Sequence, residues 1–408
     1  MTKSAYPLLV SQTYFQKGFG LKAAVGPVLA ENYDSGVVDR LRALDNRARA
    51  GDVTLKLARE FGFCYGVERA VDYAYQTRRK FPDKRIFLVG EIIHNPHVND
   101  RLREMGVEIL MRDAGGSFNF SRLDGQDVVI LPAFGVTIDD FAALREIGCV
   151  LVDTTCGSVL NVWKRVESYA RDGFTALIHG KYYHEETRAT ASQVRKHAEG
   201  HYLIVRHMDE ARLVCDYIEG KLTTTELMAS FAHAVSPGFD PEAHLRRIGV
   251  ANQTTMLARE SLAIGEEVGA AIGRARGDAA RASDFRSFDT ICSATQERQD
   301  AVRELLDEGV DLMVVIGGFN SSNTISLAAL CAEKVPAYHI ESSSGIDPDR
   351  GTIHYRPAGV QHSERDAQGW LPNGRISVGI TAGASTPNNK IGDVVARVLG
   401  TRGLRAPV

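Results

Sequence analysis

Three cysteines in this 408-residue chain each open the same unit of text. Residues 152–156 read VDTTC, residues 288–292 read FDTIC, and Cys64 closes the short run GFC. After Cys64, residues Val67, Ala70, Val71 and Ala74 fall at i, i+3, i+4 and i+7, which predicts an amphipathic helix. Val159, Val162, Trp163 and Val166 repeat that spacing after Cys156. The text after Cys292, ATQERQDAVRELLDEG, is helical by propensity, with Val302, Leu305 and Leu306 on one side. Each helix is followed by a strand-like run: RIFLVG at 85–90, FTALIHG at 174–180 and DLMVVIGG at 311–318. Polar loops follow in turn, bearing His94 and Asn95, then His184 and Glu186, then Ser321, Ser322 and Asn323. The separations agree, since Cys64 to His94 is 30 residues, Cys156 to His184 is 28 and Cys292 to Ser321 is 29. A strand-like stretch also precedes each cysteine, at 53–58, 149–153 and 286–289.

Strands alternating with helices imply parallel sheets, and ligands gather outside the carboxyl ends of such strands. In every copy the cysteine and the polar loop are predicted to sit at such an end. Three α/β units therefore point one cysteine each at a common centre. Cys149, Cys215 and Cys331 lack this setting and read as small packing residues. The length suits two to three domains. A net charge of −3 gives no electrostatic support for nucleic-acid binding. No apolar run reaches the ~18 residues of a membrane span. Residues 18–30 make a poor signal peptide and the first fifty lack transit-peptide composition, so the chain reads as cytoplasmic.

No C-x-x-C occurs, which excludes zinc ribbons, thioredoxin-type motifs and ferredoxin-type cluster runs. A Cys3His zinc site stays open, although structural zinc usually draws on close sequence pairs. HEETR at 184–188 begins like a zincin motif and fails at Arg188. Three thiolates from three units suit a four-iron cluster better, because full ligation takes four and three leave one iron open. Such an iron is a Lewis acid that polarises a C–O bond. The polar loops then form the substrate site: His94, His184, Glu186, Ser321, Ser322 and Asn323, joined by Gln253-Thr254-Thr255 and by GITAGAST (379–386) with Ser385. Neutral donors and helix starts of this kind can hold a phosphate, which makes diphosphate one candidate anion among others, since no P-loop and no G-x-G-x-x-G is present. A non-catalytic iron–sulfur sensor or carrier and a zinc-dependent hydrolase are the competing function classes.

The text resembles the 4-hydroxy-3-methylbut-2-enyl diphosphate reductase family, the last enzymes of the non-mevalonate isoprenoid route. The matching stretches are GFCYGVERAV (62–71), EIIHNPHVNDRLREMGV (91–107), VDTTC, HGKYYHEETRATASQ (179–193), ANQTTM (251–256), FDTICSATQERQ (288–299), GGFNSSN (317–323) and GITAGAST. They are spread along residues 52–395, and the extra N-terminal text with NYDS at 32–35 resembles the plant and cyanobacterial form. The resemblance implies an α/β fold with three α/β domains in a pseudo-threefold trefoil around a central [4Fe-4S] cluster. Its expected division is an extension at 1–51, domains at 52–153, 154–287 and 288–395, and a tail at 396–408. It makes Cys64, Cys156 and Cys292 the cluster ligands. It assigns His94, His184, Ser321, Ser322, Asn323 and Ser385 to the diphosphate, and Glu186 to protonating the leaving hydroxyl beside Thr254 and Gln253. It also implies a ferredoxin- or flavodoxin-type electron donor. Two departures stand out: Phe134 replaces a second diphosphate-binding histidine of the short bacterial forms, and Gly157 replaces a usual proline. The NYDS stretch and the longer middle segment at 195–250 read as surface structure open to partner contacts.

Overall fold

Each cysteine unit folds as a strand, a turn and a helix, and the helix carries the chain out of one sheet into another. The computed structural model describes residues 13–113, 115–360 and 363–406; the outer ends of the expected extension and tail, residues 1–12 and 407–408, lie outside them. The chain divides into two compact units.

The first unit comprises residues up to 17, 81–92 and 106–292. It holds two wholly parallel sheets. One has the order Tyr14–Phe15, Val150–Asp153, Val128–Leu131, Ile86–Val89, Val107–Leu110. The other runs Phe285–Ser287, Ile248–Asn252, Thr175–His179, Tyr202–Val205. The central strands VVIL and IGVAN are buried along their whole length, as parallel strands covered on both faces must be.

The second unit comprises residues 18–80, 93–105 and 293 onward. Its main sheet has the order Arg47–Ala50, Val53–Leu57, Ile376–Ala382, Leu312–Ile316, Ala337–Ile340, parallel except for the first pair. Two arginines on the antiparallel edge strand RARA blunt it against further pairing. A three-stranded antiparallel sheet, Ile346–Asp347, Thr352–Tyr355 and Arg365–Gln368, belongs to the same unit.

One strand order recurs in all three parallel sheets: the strand that leads to a cysteine, a central strand, the strand that leads to a polar loop, then an edge strand. The helices after the cysteines, Tyr65–Lys80, Gly157–Arg171 and Ser293–Asp307, bury the predicted apolar stripes, including Val67, Ala70 and Val71, then Val159 and Val162, then Val302 and Leu305. The strand entering each helix and the strand leaving it lie in different sheets. Val53–Leu57 thus pairs with strands from the end of the chain, while Ile86–Val89 pairs with Val128–Leu131.

Two expectations need correction. The segment at 195–250 is not surface decoration. It supplies the edge strand Tyr202–Val205 and the helices Met208–Ile218 and Thr224–Phe231, and Leu203, Val205, Val214, Leu227 and Phe231 are buried in the core of the second sheet. The NYDS stretch is likewise built in. Tyr33 is buried with its hydroxyl 3.0 Å from that of Tyr75, and Ser35 caps helix Gly36–Ala43, whose Val38 and Leu41 pack in the core of the main sheet. Among the described residues no helix is long and apolar enough to cross a membrane. Phe231→Ala should therefore cost about 3–5 kcal/mol of stability in chemical denaturation, as removal of a buried aromatic does. A loss below ~1 kcal/mol would return the segment to the surface.

Candidate active site

The doubled Asp-Thr-x-Cys text is a turn with three fixed contacts. In the first copy Asp153 Oδ1 accepts the amide of Thr155 at 2.9 Å, and in the second Asp289 Oδ1 accepts the amide of Ile291 at 3.0 Å. Both are Asx-type turns that bend the chain off its strand. The threonine then latches onto the central strand. Thr154 Oγ1 donates to the carbonyl of Leu131 at 2.7 Å, while Thr290 Oγ1 accepts the amide of Asn252 at 2.8 Å. Last, the cysteine amide donates to the loop beyond the central strand: Cys156 to Ala133 at 2.9 Å and Cys292 to Thr254 at 3.3 Å. Cys64 lacks the Asp-Thr pair yet makes the same bond, to the carbonyl of Ala384 at 3.2 Å. In each case the acceptor lies two residues past the end of the central strand. Gly157 opens the helix after Cys156 with open space where a side chain would stand.

The two classes of cysteine differ in environment. Cys64, Cys156 and Cys292 are partly exposed. Cys149, Cys215 and Cys331 are buried in apolar clusters, and burial pushes the first two thiols up to about 11 and about 12 and the third higher still. Metals take thiolates, so these three are poor ligands.

In the first unit His184, Glu186, Thr254 and Cys292 form one connected path. His184 caps helix Glu185–Ser192, its Nδ1 accepting the amide of Glu186 at 3.1 Å, which leaves the ring proton on Nε2. The Phe134 ring stands edge-on to this imidazole at 5.7 Å, so the residue in the place of a second histidine orients the first. Glu186 is buried, and its Oε1 accepts the amide of Thr254 at 2.6 Å. Gln253 is held within the protein: Oε1 accepts from the Lys181 amide and Thr187 Oγ1, and one Nε2 hydrogen donates to Thr255 Oγ1. These bonds hold the loop shape and fix the orientation of the Gln253 amide.

In the second unit His94, Ser321, Asn323 and Ser385 come together with Cys64. Ser385 Oγ donates to the His94 carbonyl at 3.2 Å and lies 3.5 Å from Ser321 Oγ, which caps helix Ser322–Ala332. Asn323 Oδ1 accepts the amide of Ala384, and its Nδ2 donates to Thr295. Asn323 thus braces the residue whose carbonyl holds Cys64. Ser322 Oγ is buried without a hydrogen-bond partner, a donor at a helix N-terminus where an anion is favoured.

Residues missed in the sequence reading include Asn320, whose Nδ2 lies 3.4 Å from His94 Nδ1, and two glycines that set close approaches. A Cβ on Gly318 would stand 2.7 Å from the His94 carbonyl, and one on Gly383 would stand 2.0 Å from Thr324 Oγ1. Only the Gly-Gly and Gly-Ala pairs in the text hinted at them. Gly383→Ala should cost about 1–3 kcal/mol through overpacking. Adding Thr324→Ala should recover part of that loss in thermal melts, and no recovery would refute the assigned clash.

The description LytB protein belongs to the family model that matches residues 55–399. The 4-hydroxy-3-methylbut-2-enyl diphosphate reductase of Acaryochloris marina is 44% identical, with 98% of this chain and 96% of that protein covered. The enzyme of the same name from Thermosynechococcus vestitus is 47% identical, with 96% of each covered. A solved structure of (E)-4-hydroxy-3-methyl-but-2-enyl diphosphate reductase, described as the terminal enzyme of the non-mevalonate pathway, is 28% identical at a TM-score of 0.51, covering 84% of this chain and 98% of that one. The Plasmodium falciparum reductase structure, 20% identical with a TM-score of 0.62 over 85% of this chain and 87% of that one, shares the fold.

Proposed function

The chain belongs to the LytB protein family, and from that premise we propose that it reductively dehydroxylates 4-hydroxy-3-methylbut-2-enyl diphosphate to isopentenyl and dimethylallyl diphosphates. The observation that carries the reading is the threefold cysteine turn, with one partly exposed thiol per parallel sheet and the same amide bond behind each. That donor set, together with three other cysteines withdrawn into apolar cores, fits a cluster with three protein thiolates. Cys64, Cys156 and Cys292 would hold a [4Fe-4S] cluster, which when bound supplies single electrons and Lewis acidity for breaking a C–O bond.

The remaining work falls to the chain's own polar groups. The His184 Nε2 proton, Ser322 Oγ and the N-terminus of helix Ser322–Ala332 are donors for the diphosphate, with His94, Ser321 and Ser385 beside that helix start. Asn323 also accepts the Ala384 amide and so braces the residue whose carbonyl holds the Cys64 amide. Glu186, oriented by the Thr254 amide on one of its oxygens, delivers the proton to the leaving hydroxyl. The balance is two electrons and two protons per turnover: the C–O bond breaks, one C–H bond forms and water leaves. One-electron delivery calls for a ferredoxin- or flavodoxin-type donor, and the reaction is assigned to the cytoplasm. The spans 52–153, 154–287 and 288–395 serve as the proposed domains, except that strand Val53–Leu57 of the first joins the sheet of the third.

The test is anaerobic turnover of the allylic diphosphate with a chemical reductant, followed by analysis of the five-carbon diphosphate products. Glu186→Gln should lower turnover by a factor of ~10²–10⁴ while iron content stays at the wild-type level. An unchanged rate would remove Glu186 from the chemistry and favour a cluster carrier with no catalytic role.

A further inference from the structure

The small antiparallel sheet at 346–368 reaches the loop that carries Ser321, and one side chain makes the connection. Arg356 stands just past strand Thr352–Tyr355, its amide bonded to the His339 carbonyl at 2.9 Å. Its Nη1 donates to the Phe319 carbonyl at 2.8 Å, and its guanidinium lies over the Phe319 ring, 4.2 Å from the centroid. Its Nη2 donates to Glu364 Oε1 at 2.9 Å. Glu364 in turn meets His354 Nε2 at 3.0 Å, and the opposite ring nitrogen meets Asp366, the cross-strand partner of His354, at 2.9 Å. The guanidinium is largely shielded while the carboxylate end of the chain faces solvent.

The Phe319 segment is pinned elsewhere as well. His339 Nε2 donates to the Gly317 carbonyl at 2.9 Å, and burial holds this imidazole neutral by lowering its pKa to about 4. The Phe319 amide donates to Glu341 Oε1 at 3.3 Å, and its ring packs edge-on against His339. Among the described residues, Arg356 alone engages the Phe319 carbonyl with a charged donor and covers the ring at the same time. A planar five-donor fork does both from one position, which an ammonium cannot.

We propose that Arg356 is a positioning residue for the diphosphate loop: by tying the Phe319 carbonyl to Glu364 it fixes the backbone two residues ahead of Ser321. This rests on the proposed role of Ser321 and its neighbours in holding diphosphate. It adds a lever outside the site, because Arg356 touches Phe319 and not the residues assigned to the ligand. Loosening the loop would misplace Ser321 and Ser322 for binding and leave the cysteines and Glu186 unaltered.

The experiment uses anaerobically prepared holoenzyme and measures KM and kcat for the allylic diphosphate, Kd for inorganic diphosphate by calorimetry, and Tm. Arg356→Ala should raise both KM and Kd about tenfold, the equivalent of ~1.4 kcal/mol, with kcat within about twofold. Arg356→Lys keeps a charged donor for one partner at a time, so it should restore about half of that logarithmic loss. Glu364→Gln, on the exposed strand side, should raise Kd about threefold and covers the case in which Arg356→Ala does not fold. Ser321→Ala tests the underlying reading separately. If it raises Kd while the Arg356 and Glu364 variants change only Tm, the positioning role falls and the diphosphate loop stands. If none of these variants, Ser321→Ala included, changes Kd, the loop reading falls with it.

Discussion

The hydrogen bond from each cysteine amide to a carbonyl beyond the central strand is the constraint on which the site depends. A thiolate is aimed by its backbone, and a backbone leaving a strand has many paths until its first amide is committed. Here the commitment is the same in three sheets. Cys64, Cys156 and Cys292 each donate to the residue two positions past a neighbouring strand, Ala384, Ala133 and Thr254. Because parallel strands end at one edge, the cysteine turn, the central loop and the polar loop start from adjacent strands of one sheet. The functional text at each sheet is thereby gathered at its strand ends, with helices on the sheet faces providing burial.

The same bonds link metal-ligand candidates to substrate-site candidates. Thr254 presents its carbonyl to Cys292 and its amide to Glu186, so one peptide segment serves a thiol and a carboxyl. Ala384 does the equivalent between Cys64 and Asn323. Disturbing the Thr254 or Ala384 segment moves two functional groups at once. This gives a physical reason for Gly318 and Gly383, where a single methyl group would meet the His94 carbonyl or the Thr324 hydroxyl.

Much of this was legible in the sequence because helix and strand periods and cysteine spacing are local signals. The separations of 30, 28 and 29 residues were a faithful count of one helix and one strand, since each polar loop residue falls five positions past its strand end. The exchange of strands between sheets was not legible: Val53–Leu57 looks the same whether it pairs with nearby or distant text. The 195–250 segment was misjudged because it departs from the short forms of the resembled family, and length says nothing about burial. Its Leu203, Leu227 and Phe231 were visible but carried no partner information. Gln253, expected beside the substrate, also braces its own loop through Lys181, Thr187 and Thr255, which no local pattern in the sequence shows. Arg356 escaped notice because a lone arginine gains meaning only from the carbonyl and ring it covers.

Iron and acid-labile sulfide analysis of protein kept free of oxygen, run on six single Cys→Ser variants, tests the central claim most directly. About four irons and four sulfides per chain are expected in the wild type. Replacing residue 64, 156 or 292 should deplete both, and replacing residue 149, 215 or 331 should leave both in place. Full iron and sulfide in any variant of the first set, or a wild type that binds zinc and no sulfide, would contradict it.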